Sequence, residues 1–97
     1  MEKNSIMHLS TSCISVETAG LINESAFHDT KLSDEIVIYM KGVYGWFIPL
    51  PENIDKLDIP EDLKNCMLYA EKNDCKWLAF DRDVEYDASD GLKEYTW

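Results

Sequence analysis

Ile36-Val37-Ile38-Tyr39-Met40-Lys41-Gly42-Val43-Tyr44-Gly45-Trp46-Phe47-Ile48 is the stretch that decides the fold. β-Branched and aromatic side chains on both sides of a glycine-bearing turn predict a β-hairpin with strands over 36–40 and 46–48. Pro49 and Pro51 end the second strand, because proline cannot donate a ladder hydrogen bond.

Upstream of the hairpin, Met7 to Ser12 alternates between apolar and polar residues and predicts a half-buried strand. Ser15 reads as a helix cap, with Glu17 in the first turn. Val16, Ala19, Ile22 and Ala26, with Leu21 and Phe27 alongside, set an apolar stripe for a helix over 16–28. Downstream, Asp58-Ile59-Pro60-Glu61-Asp62 opens a second helix, with Asp58 as the cap and acids at its positive dipole end. Leu63, Cys66, Met67 and Ala70 form its buried stripe, and Asn73-Asp74 ends it. Cys75 to Phe80 reads as an interior strand, Asp87 to Gly91 as a turn, and Leu92 to Trp97 as a last short strand.

The resulting order, β-α-β-β-α-β-(β), predicts an α+β fold. It is a two-layer sandwich: a mixed or mostly antiparallel sheet of four to five strands packed against two helices. Residues 1–97 are read as a single acidic domain, the ceiling for a chain of 97 residues.

Nineteen acidic side chains against nine basic ones give a net charge of −10. That field repels DNA, RNA and anionic membranes, so direct nucleic-acid or membrane binding is excluded as the main business of the surface. The N-terminus has no secretory pattern, and the apolar runs fall far short of the roughly 20 residues that span a bilayer. Three cysteines, Cys13, Cys66 and Cys75, do not make an even disulfide framework. A reduced, cytoplasmic protein is expected.

Asp81, Asp83, Glu85 and Asp87 recur with period 2 and are followed by Asp90 and Glu94. In an extended chain the four carboxylates of the row lie on one side, spaced about 6.6–6.8 Å apart. Such a row is either a solvated edge that deters strand-to-strand aggregation or a docking surface for a basic partner. Evenly spaced carboxylates also imitate phosphates, so the groove of a nucleic-acid-binding protein is one such partner.

Other chemistry finds little support in the residues. A calcium loop counted from Asp81 puts Tyr86 at the required glycine, and one counted from Asp83 puts Ala88 there. Zinc needs four ligands at short spacings, which two histidines and three scattered cysteines do not supply. Cys13 lies near a helix cap, with His8 and His28 as conceivable bases, yet small cysteines in apolar stretches are ordinarily core. No cofactor or metal is expected. Tyr95 and the final Trp97 either dock onto the sheet or form an aromatic anchor beside the acids.

Leu9-Ser10-Thr11, Tyr44-Gly45-Trp46-Phe47, Pro60-Glu61-Asp62-Leu63, Trp77-Leu78 with Asp81-Arg82-Asp83, and Tyr95-Thr96-Trp97 together carry a family resemblance. Over residues 8–97 the chain resembles a family of short uncharacterised proteins encoded on bacterial plasmids, phages and integrative elements. The resemblance implies the setting of a mobile element's accessory genes and transfers no catalytic residue.

The resulting expectation is a non-catalytic interaction protein that inhibits or modulates a basic nucleic-acid-handling protein, such as a CRISPR effector, restriction enzyme or transcription regulator. Its partner-binding residues are Asp81, Asp83, Glu85, Asp87, Asp90, Glu94, Tyr95 and Trp97. The alternative is a protein-binding domain that uses exposed aromatics, with acidity serving solubility. The sequence leaves the oligomeric state open.

Overall fold

The computed structural model describes residues 5–28, 36–41 and 45–96. Four strands form one sheet: β1 (Ile6–Ser10), β2 (Tyr39–Lys41), β3 (Gly45–Pro49) and β4 (Trp77–Asp81), in the order β1-β4-β3-β2. β1 runs parallel to β4, whereas β4–β3 and β3–β2 are antiparallel. Helix α1 (Val16–His28) follows β1, and helix α2 (Glu61–Lys72) joins β3 to β4. The fold is therefore the expected α+β arrangement with a mixed sheet. β4, the strand read as interior, lies between β1 and β3.

Register divides the sheet residues between two faces. Leu9 and Trp46 both lie opposite Phe80, while Met7 and Ile48 both lie opposite Leu78. This face meets the helices: Leu9, Trp46, Ile48, Leu78 and Phe80 join Ala19 and Ile22 of α1 and Leu63, Cys66, Met67 and Ala70 of α2 in one core. Each fully buried large side chain here contributes roughly 1.5–3 kcal/mol. Trp46 satisfies its one polar atom by donating from Nε1 to Asn23 Oδ1 of α1 at 2.9 Å.

Several local expectations change. β1 stops at Ser10, because its side chain accepts from the Ser12 N–H at 3.1 Å and turns the chain into a 3-10 turn at Thr11–Cys13. Ser15 does cap α1, accepting from the Thr18 N–H at 3.2 Å. Val16 and Leu21 are nonetheless exposed, and the buried face of α1 runs through Thr18, Ala19 and Ile22. Asp58 does not cap α2; Pro60 occupies that position and makes no side-chain capping bond. Its carbonyl instead accepts the first helical bond, from the Lys64 N–H at 3.0 Å. Cys75 precedes β4 rather than opening it.

Leu92–Trp97 does not form a fifth strand among the described residues. The backbone of residues 91–96 has no regular structure, and the Tyr95 N–H bonds the Ser12 carbonyl at 2.8 Å. The segment is thus tethered to the 3-10 turn after β1 rather than along a strand edge. The hairpin turn at 42–44 and Trp97 lie outside the described residues.

Candidate functional site

The acidic segment begins at the end of β4 and does not stay extended. Asp81 accepts from the Asp83 N–H at 2.8 Å, and its carbonyl accepts from Val84 N–H at 3.1 Å. This side-chain-closed turn replaces the straight row expected through Asp81, Asp83, Glu85 and Asp87, because an aspartate mimics a backbone turn at little cost. Asp87 caps a second 3-10 turn, Ala88–Asp90, and accepts from Ser89 N–H at 2.9 Å and Ser89 Oγ at 2.7 Å. Those two bonds hold the Asp87 carboxyl below its ordinary value. Gly91 closes the turn at φ 77°, a conformation that favours glycine.

Hydrogen bonds anchor the segment to the body of the protein. Tyr69 of α2 donates to Asp90 Oδ1 at 2.8 Å, an arrangement that pushes the tyrosine hydroxyl's pKa up. The Tyr86 hydroxyl donates to the Leu92 carbonyl, and both residues pack partly buried against the core. Tyr95 is half-buried, with the Lys93 amine 5.0 Å from its ring centre. The predicted set therefore divides in two. The carboxylates of Asp81, Asp87 and Asp90 accept hydrogen bonds from within the chain, Asp87 while remaining exposed, whereas Asp83, Glu85 and Glu94 are exposed without such a bond among the described residues.

Beneath this segment lies a polar junction missed in the sequence. Asp62, in the first turn of α2, is buried. Its carboxylate accepts from Ser15 N–H at 2.7 Å, Thr18 Oγ1 at 2.8 Å and Leu63 N–H at 2.9 Å. One buried carboxylate thus serves the N-termini of both helices, where donors are unpaired and the dipoles favour negative charge. The sequence signalled an acid in the first turn of α2, but its partners on α1 appear only after folding.

Cys13 and Cys66 are neighbours in the same region, and both are buried. The Cys66 thiol donates toward the Cys13 carbonyl at 3.6 Å and interacts with the Cys13 sulfur. The thiol–thiol interaction, rather than the bond to the carbonyl, pulls the Cys13 thiol below its ordinary range, against burial and the nearby Asp90 and Glu94. The same thiol–thiol interaction, together with burial, pushes Cys66 far up. Among the described residues, no group of three His, Cys, Asp or Glu side chains is placed to hold a metal ion.

The second face of the sheet was also not anticipated. His8, Ala79, Phe47 and Tyr39 form one row across all four strands, and Ile6, Trp77 and Pro49 form the next. Tyr39 and Trp77 sit on strands two apart, about 9.5 Å by ordinary strand spacing. Their ring centres are only 5.9 Å apart, so the rings lean together across β3. Among the described residues, none of these side chains belongs to the helix-side core cluster, although Ala79 at the centre of the row is fully buried. Tyr39 is 53% exposed and Ile6 40%, and Val37, two residues before Tyr39, is 49% exposed. His8 is also exposed, and Trp77, Phe47 and Pro49 are half-buried.

Among the described residues, no helix is long and apolar enough to cross a membrane. No curated protein and no solved structure matches the chain. A family model described as the C-terminal domain of a family of unknown function, DUF5983, matches residues 6–97 and so covers both faces of the sheet and the acidic segment. The chain belongs to that uncharacterised family.

Proposed function

We propose that the protein is a non-catalytic interaction protein that binds a basic, nucleic-acid-handling protein and inhibits or modulates it. Its setting is the bacterial cytoplasm, among the accessory functions of a mobile element. The observation that carries the reading is the net charge of −10 together with an acidic segment held in one conformation by the Tyr69–Asp90, Asp87–Ser89 and Tyr95–Ser12 bonds. Backbone tethered to the body of the protein presents the exposed Asp83, Glu85 and Glu94 at less ordering cost than a loose tail would when they meet lysines and arginines. The partner is recognised by complementary charge rather than by a straight phosphate-like ladder, since the turn at Asp81–Val84 breaks the spacing of the row.

The test is affinity capture from bacterial lysate at low and moderate salt, with wild type beside an Asp83→Lys/Glu85→Lys/Glu94→Lys variant. These three acids are chosen because reversing Asp87 or Asp90 would also remove an internal hydrogen bond. A nuclease or DNA-binding protein retained by wild type alone, and released as salt rises, is the expected result. Equal capture by both baits, insensitive to salt, would overturn it.

A further inference from the structure

The sheet face away from the helices has the chemistry of a recognition surface. Its centre is aromatic and apolar: Tyr39 leans against Trp77 across β3, the exposed Ile6 lies opposite Trp77, and Ala79 is buried between its neighbours. Singly exposed apolar residues need no explanation, but several gathered on one sheet face mark an interaction site.

One end of this face is acidic. Asp81 shares the outward side of β4 with Trp77 and Ala79, and its carboxylate accepts the Asp83 N–H. The Asp81–Val84 turn, which carries Asp83, therefore starts on the outward side of the sheet, at the opposite end of β4 from Trp77. A self-associating copy would bring a second charge of −10 against the first, and a nucleic acid would bring phosphates.

We infer that this open face docks a Lys/Arg-bearing apolar segment of a protein partner. Leucine-like side chains of that segment cover Ile6 and the aromatic pair. One arginine or lysine stacks on the Tyr39 and Trp77 rings, and a second, about four residues along the extended segment, reaches Asp83 at the far end of β4. The inference deepens the proposal of a basic partner and rests on it for the charge of the occupant.

The experiment is an NMR titration of isotopically labelled protein with a capped hexapeptide of alternating leucine and arginine. A serine–arginine peptide of the same charge and a leucine–glutamate peptide are run beside it. The indole N–H signals of the three tryptophans are assigned with Trp77→Phe and Trp97→Phe, the remaining one being Trp46. The leucine–arginine peptide is expected to shift Trp77 and Tyr39 and leave Trp46, which is bonded to Asn23, unmoved. Tyr39→Ser should weaken this binding about tenfold, and an unchanged Trp46 indole signal reports that the variant is folded.

Equal binding of the serine–arginine peptide, with shifts only around Asp83 and Glu85, overturns the docking face and leaves the acidic reading standing. Equal binding of the leucine–glutamate peptide at Trp77 overturns the charge of the occupant and with it the acidic reading. No shift with any peptide also overturns the inference. So does a shift of Trp77 by a single-stranded RNA, or concentration-dependent self-association in sedimentation that is abolished by Tyr39→Ser.

Discussion

The two faces of the sheet use the same kinds of residue to different ends. On the helix side, Trp46 and Phe80 are buried, and the tryptophan's polar atom is paired with Asn23. On the other side, Tyr39 and Trp77 touch each other, and Tyr39 remains more than half exposed. Aromatic content alone therefore does not identify core, because strand neighbours and the position of the helices decide which rings are sealed from water.

The sharpest way to break this comparison is to truncate one ring on each face. Phe80→Ala removes a fully buried side chain from the central strand and should cost about 3–5 kcal/mol in denaturant unfolding. A cost below about 1 kcal/mol would show that the helices do not seal that face.

Asp62→Ala tests the junction that holds the helices on their side of the sheet. It leaves the Ser15 N–H and the Thr18 hydroxyl without their acceptor, and should cost about 1–3 kcal/mol. Urea unfolding beside the Thr18→Val variant would show how much of that loss the Thr18 hydroxyl bond accounts for.

A smaller effect sharpens the contrast between the body of the protein and its acidic segment. Ser89→Ala removes one of the two bonds that depress the Asp87 carboxyl, so its titration should move back up toward the ordinary range. Because the folded value lies below the unfolded one, the associated stability is present above the unfolded pKa. It is lost as pH falls through the depressed folded value. A pH titration followed by carboxyl carbon shifts checks this, and an unmoved Asp87 would contradict the cap.

Much of the layered fold was legible because burial imposes periodicity. Leu63, Cys66, Met67 and Ala70 recur at helical spacing and are all buried, and the apolar 77–80 run is the central strand. The acidic row misled because alternating aspartates satisfy a strand pattern without any apolar face to enforce it. Asp81 could then capture the Asp83 N–H and fold the chain. Val16 misled in a related way: its position follows the helical stripe, but the phase of α1 is fixed by Ser15 and Asp62. The Tyr39–Trp77 pair was invisible because the residues are 38 positions apart in sequence and meet only once β4 has been inserted beside β3.

The most direct measurement is the unfolding free energy of Tyr39→Ser set against that of Phe80→Ala. If the open face is kept for recognition, Tyr39→Ser should cost no more than about 1.5 kcal/mol, the worth of an exposed ring pair, while weakening binding of the leucine–arginine peptide. A loss approaching that of Phe80→Ala would place Tyr39 in the core and contradict the account of a sheet with one sealed and one open face.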